Sequence, residues 1–194
     1  MSQSKFLAFK DSNDAERLAS SQTPLPVGGA GYVSTNTITR PANATAYTAN
    51  DAIGIDDGAG AAGSAILTLA SIGPTAGHVF ITDVLLEVDL TAVPASMSTF
   101  TLHLYNASPT AILDNAAWDL PSGDRTKYLG SVAITTPVDL GSTLYSQNGG
   151  PLPINKKVKL AASSTSLYGI LVTAGGYTPA SGTVMVLTVH TIAV

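Results

Sequence analysis

Cysteine is absent from the 194-residue chain, which excludes disulfides and thiolate metal sites and leaves packing to stabilise the fold. Charge is scarce too, with Asp, Glu, Lys and Arg at 11% of residues against about 25% in an ordinary soluble protein. The hydrophobic share of 45% is ordinary, so the deficit is one of charge. Subunit contacts have charge-depleted cores, and the composition therefore predicts an obligate oligomer. A net charge of −4 and a pI near 5.1 argue against a nucleic-acid partner held by phosphate neutralisation, which needs clustered Lys and Arg. No apolar run approaches the roughly 18 residues of a membrane span, and residues 1–10 lack the apolar core of a signal peptide. No membrane partner is expected. Helical periodicity is missing as well: beyond Ile38 no convincing helix of about ten residues interrupts the pattern.

What is there is β-like. Short runs separated by Gly, Pro, Asn and Asp predict strands near 45–54, 64–72, 79–91, 99–106, 128–135, 142–147, 153–161, 166–174 and 183–193. In the longest, Phe80, Val84, Leu86, Val88 and Leu90 are expected on one face, with Asp83, Glu87 and Asp89 on the other. The runs 166–174 and 183–194 are apolar at both parities, which predicts central strands or strands covered on their second face by another subunit. Residues 107–127 form the one long excursion, in which Ser108-Pro109 breaks the ladder and Asp114-Asn115 opens a turn that carries the single tryptophan, Trp118, back onto the sheet. Short strands with turn signals at this spacing predict an all-β fold, a two-sheet antiparallel sandwich of jelly-roll type. Another Greek-key sandwich fits the spacing nearly as well.

Residues 1–37 read as an extended N-terminal arm and 38–194 as the sandwich domain. A short helix can start within residues 11–18, capped by Ser12 or Asn13, before the Pro/Gly stretch at 24–31 ends it. Phe6, Leu7, Phe9 and Leu18 are too few for a core, and Phe6, Phe9 and Leu18 join Trp118 as candidate interaction residues, the first three docking on a neighbouring subunit.

Motifs for chemistry are weak. Residues 58–63 fit GxGxxG, with Asp83 further on, but a dinucleotide site needs a helix leaving that turn to receive the pyrophosphate, and the nine residues 64–72 run into Gly73-Pro74 instead. A small-residue hairpin is the better reading. Asp51, Asp56 and Asp57, and Asp83, Glu87 and Asp89, supply oxygens of the kind calcium takes, yet no EF-hand pattern orders them. A glycosidase carboxylate pair cannot be read from spacing. His78, His103 and His190 have no HExxH-type spacing, and no GxSxG elbow occurs. Lys156, Lys157 and Lys159 read as an edge-strand guard. Trp118 with the seven tyrosines can line a sugar site, although a lone tryptophan is more often core. No catalytic residue, cofactor or metal site is predicted, and the chain is not expected to be an enzyme.

Four stretches carry a resemblance: residues 39–54 (TRPANATAYTANDAIG), 102–109 (LHLYNASP) with 114–120 (DNAAWDL), 129–132 (LGSV) and 167–172 (LYGILV). Together they resemble a family of tailed-bacteriophage virion proteins over residues 38–194, the first two blocks being the more specific. The resemblance implies a capsid decoration or cement protein, a β-sandwich that trimerises on the outside of the phage head and binds the major capsid protein, made in the bacterial cytoplasm. It brings no catalytic residues. The alternative is a tail-associated receptor- or carbohydrate-binding module.

Overall fold

The structure, a computed structural model, describes residues 8–10, 16–18, 29–147, 154 and 156–194. Its strands are β1 (Ala8–Lys10), β2 (Glu16–Leu18), β3 (Gly31–Thr39), β4 (Ala52–Ile53), β5 (Ile66–Leu69), β6 (His78–Val88), β7 (Phe100–Tyr105), β8 (Tyr128–Ile134), β9 (Val138–Asp139), β10 (Leu144–Gln147), β11 (Lys156–Lys159), β12 (Leu167–Thr173) and β13 (Val184–Ala193). A single 3-10 turn, Ser122–Asp124, precedes β8. Among the described residues no helix is long and apolar enough to cross a membrane.

The first sheet runs β3-β13-β6-β10-β9, with β11 also on β6; the second runs β4-β12-β7-β8, with β5 also on β12. Two edge positions are each filled by a pair of short strands. β10 takes residues 85–88 of β6 and β11 takes 78–81, while β4 and β5 divide β12 in the same way. With each shared position counted once and the β9 strand and β1–β2 ribbon set aside, β3, the first strand of the sandwich, lies beside β13, the last, and every pairing is antiparallel. That is the strand order of a jelly roll, two interleaved Greek keys. The strands over 167–173 and 184–193 are interior, each flanked on both sides.

Alternation builds the core. Ile38, Val84, Leu86 and Leu187 of the first sheet meet Leu67, Leu102, Leu104 and Leu171 of the second in one buried cluster, the inward-facing half of each period-two strand. Two bulges interrupt the alternation. On β6 the partners of His190 and Thr191 are Asp83 and Ile81, so Thr82 is the extra residue. The bulge reverses parity: Val79 and Ile81 face inward before it, Val84, Leu86 and Val88 after it. Phe80 is therefore on the outer face, opposite to the expectation that grouped it with Val84. On β8 the partners of Leu104 and Tyr105 are Gly130 and Tyr128, which leaves Leu129 extra. Gly130 has φ +91° there, a conformation that suits glycine, and the bulge sends Leu129 to the main core and Tyr128 outward.

The N-terminal region departs from expectation in two places. The boundary at 38 cuts through β3, which starts at Gly31 and pairs along its length with β13. This edge strand is hard to read because its inward positions are Tyr32, Ser34, Asn36 and Ile38, with one aliphatic among them. The helix expected over 11–18 is not what forms at its C-terminal end: Glu16–Leu18 pairs antiparallel with Ala8–Lys10 as a separate ribbon. A helix of that length is marginal in water. Ser12 and Asn13 lie outside the described residues. The strand expected over 45–54 shrinks to Ala52–Ile53.

Candidate functional site

The excursion between β7 and β8 folds against the outer face of the second sheet. It is first stitched to the sheet edge. Ala52 N donates to Ala116 O at 2.9 Å, Trp118 N to Asn50 O at 2.7 Å, Ala65 N to Ile112 O at 2.9 Å and Asp114 N to Gly63 O at 3.0 Å. Asp124 then ties its two ends together, one carboxylate oxygen accepting from Thr110 N at 2.7 Å and the other from Lys127 Nζ at 2.8 Å. The Lys127 hydrogen bond, followed by that from Thr110, lowers the Asp124 carboxyl to about 2.

Beneath this cover lies a second apolar cluster, Ala52, Ala65, Tyr105, Ile170 and Val172, with Ile112, Trp118, Leu120, Tyr128 and Tyr168 packed on it. Trp118 is half-buried. Its ring stacks on His103 with centroids 3.6 Å apart and planes at 16°, and its Nε1 donates to Tyr105 Oη at 3.1 Å. His103 Nδ1 is 2.9 Å from the Tyr128 hydroxyl, a contact that depends on the β8 bulge turning Tyr128 outward. Burial lowers His103 to about 4, so the ring is neutral at neutral pH. Trp118 thus spends one aromatic face and its only donor on the sheet below it.

A buried ionic knot anchors the start of the cover. Arg40, directly after β3, donates from Nη2 to Asp114 Oδ2 at 3.0 Å with both side chains out of solvent. Its Nε donates to Tyr47 Oη, which in turn donates to Asp114 Oδ1 at 2.6 Å, and Gly54 N donates to the same oxygen at 2.9 Å. Burial, reinforced by the Asp114 carboxylate, pushes the Tyr47 phenol well above its usual range; burial does the same to Tyr177, packed against it. A buried ion pair is costly to break from one side, because the orphaned charge stays in low dielectric. The sequence marks Asp114 only as part of a turn, because an Arg and an Asp 74 positions apart give no local signal of pairing.

The first sheet's outer face is different. Val33 is 54% exposed, Ile192 41% and Val194 58%, and the ladder register sets Leu85, Val186 and Thr188 among them. Among the described residues, four of the eight exposed large hydrophobics, Val33, Val138, Ile192 and Val194, belong to this face.

Of the residues singled out in the sequence, Trp118 is in the aromatic stack. Phe9 and Leu18 are in β1 and β2, two registers of one ribbon, and Phe6 lies outside the described residues. His103 is on the second sheet, whereas His78 and His190 are on the first; among the described residues no group of three His, Asp or Glu side chains converges to hold a metal ion. Asp56 and Asp57 are spent on loop structure: Asp56 Oδ1 accepts from Gly58 N and Gly60 N, Asp57 Oδ1 from Ala59 N and Ala61 N. The backbone bonds lower the Asp57 carboxyl. The GxGxxG stretch is this loop, with Gly58 and Gly60 at positive φ, and it leads into strand β5. β11, with its lysines, occupies a sheet edge.

A small concavity of about 170 Å³ opens between the cover and the sheet, lined by Tyr105, Thr110, Ile112, Asp119, Asp124 and Ile170 among others. Compared with known proteins, the chain matches no family model and no curated sequence.

Proposed function

We propose that the protein is a structural component of a tailed-phage virion, a decoration or cement protein that self-associates as a trimer, binds the outside of the capsid and bridges neighbouring capsomers. The observation that carries this reading is the outer face of the first sheet, where Val33, Val138 and Ile192 stand exposed among threonines on a chain whose charged residues are only 11%. Exposed aliphatic side chains gathered on one sheet face favour burial against protein, and repeated contacts around a shell add through multivalency. The resemblance supports it in a specific way. Arg40, Tyr47 and Gly54 come from the first matching block, His103, Tyr105, Asp114 and Trp118 from the second, and Gly130 from the third, so the shared residues make up the ionic knot, the aromatic stack and the β8 bulge. On this reading the chain is non-enzymatic.

Imaging particles that carry the labelled protein tests the reading directly. Label on the head exterior supports it, label on the tail favours the receptor-binding alternative, and no label on the virion overturns both. Light scattering tests the trimer, which a stable monomer at micromolar concentration overturns. Removing residues 1–28, which spares β3, is expected to weaken capsid binding and leave the sandwich folded.

The carbohydrate-binding reading has one observation in its favour, the concavity beside Tyr105 and Asp119. Its volume of about 170 Å³ is below the roughly 300 Å³ at which ligand pockets begin. Glycan binding abolished by Trp118→Ala in a folded protein would favour this reading.

A further inference from the structure

We infer that the outer face of the first sheet receives the β11 edge of a second copy of this chain, an inference that rests on the self-association part of the proposed function. Cross-strand register fixes what this face presents. Its rows run Thr37-Val186-Glu87-Tyr145-Val138, Thr35-Thr188-Leu85-Gln147, Val33-His190-Asp83 and Gly31-Ile192-Phe80-Lys157. Lys159 follows opposite His78. The face thus mixes aliphatic and hydroxyl-bearing side chains, its acids, Asp83 and Glu87 with Asp89 just beyond them, lie along the interior strand β6, and its lysines are confined to one edge.

Area and charge decide the occupant. Ten residues of β13 at a rise of about 3.3 Å, across four strand positions about 4.8 Å apart, make a flat surface on the order of 500 Å². That is a large share of the roughly 800 Å² per partner of a stable interface. If two copies met face to face about a two-fold axis through the centre, Asp83 and Glu87 of one would approach the same acids of the other, and like charges inside an interface are costly. A head-to-tail contact avoids this. The Lys157 and Lys159 edge of one copy meets the acids of the next, the apolar rows close around them, and such a heterologous contact forms a ring when its rotation closes. The lysines then have a second use besides guarding the edge, since each copy offers both halves of the contact.

Charge reversal with rescue tests this on the full-length protein. Lys157→Glu with Lys159→Glu is expected to reduce the light-scattering mass to that of one 19.7 kDa chain at concentrations where the unaltered protein is assembled, with an unchanged circular dichroism spectrum. Glu87→Lys, at an exposed position, is expected to do the same. Combining the three restores the assembled mass. Assembly that survives both reversals overturns the inference while leaving self-association standing, as does disruption that the combined variant fails to repair. Retained assembly with lost capsid binding gives this face to another protein and also overturns it. If the unaltered protein is itself monomeric, the self-association reading falls and this inference with it.

Discussion

On the second sheet, Tyr105, Ile170 and Val172 point away from the sandwich and are nonetheless buried, because residues 106–127 fold over them. On the first sheet, Val33 and Ile192 occupy the equivalent outward positions and remain exposed. Both faces are apolar, so composition alone does not separate them. What separates them is the means of holding a cover in place: the second sheet has the Arg40–Asp114 pair, the His103–Trp118 stack and the Asp124 ties. An apolar sheet face can be covered by its own chain or by another; the second sheet shows the first solution, and the proposed assembly would be the second. The proposed assembly contact maps to the bare face.

Removing the anchor of the cover has the largest expected effect. Asp114→Ala leaves the Arg40 guanidinium buried without its counter-ion and strips Tyr47 Oη and Gly54 N of their acceptor. A loss of about 3–5 kcal/mol is expected, measured by urea denaturation. A loss below about 1 kcal/mol would mean that the cover is held by its apolar contacts alone. Replacing Arg40 and Asp114 together with apolar residues of similar volume is expected to cost much less than either single change.

Acid provides a graded way to loosen the same cover. His103 titrates near 6.5 when unfolded and is lowered to about 4 by burial in the folded protein. Between these values the unfolded state binds more protons, so stability rises with pH there. The contribution is complete above pH 6.5 and is lost as pH falls toward 4, an effect of roughly 2–3 kcal/mol. Asp124, lowered to about 2 from 3.8, works in the same direction in a lower window: its contribution is present above pH 3.8 and is lost as pH falls through 2. Denaturation midpoints at pH 7 and pH 4.5 are expected to differ for the unaltered protein and to converge in His103→Gln. An equal pH dependence in the variant would place the titrating group elsewhere.

A smaller change acts through the backbone. Gly130→Ala forces a side chain onto a residue at φ +91° and is expected to cost about 1 kcal/mol. The new Cβ also meets Lys156 Nζ at 2.8 Å, a flexible contact that can move. Because the bulge aims Tyr128 at His103, the thermal midpoint is expected to fall together with the near-ultraviolet dichroism of the aromatic stack. A preserved aromatic signal would mean that the stack holds Tyr128 without the bulge.

These devices differ in how far the sequence reveals them. The strands over 78–88, 100–105, 128–134, 167–173 and 184–193 follow from alternation and from runs apolar at both parities, which is why the sandwich was legible. Parity around Phe80 was not, since a bulge is a property of two strands and Thr82 bears no mark of it. β3 escaped because hydroxyl and amide side chains fill an edge strand as readily as a linker. The ionic knot joins residues 74 positions apart, a pairing that no local pattern encodes. Trp118 was legible as a pin because a lone tryptophan after a turn has to bury its ring somewhere nearby, but His103 as the surface beneath it required the fold.

The smallest expected effect is the most direct check on the comparison. Val33→Lys places a charged head on the bare face, in the row of His190 and Asp83, at a position already 54% exposed. The stem can lie along the sheet with the ammonium in water, so the stability of the isolated chain is expected to change by no more than about 0.5 kcal/mol. The same residue at Val172, 2% exposed beneath the cover, would bury a charge with no counter-ion and unfold or open the second sheet. Denaturation at concentrations too low for self-association separates the two variants. A loss of several kcal/mol for Val33→Lys under those conditions would mean that the first sheet is also covered by its own chain, and the contrast between the faces would then be one of degree.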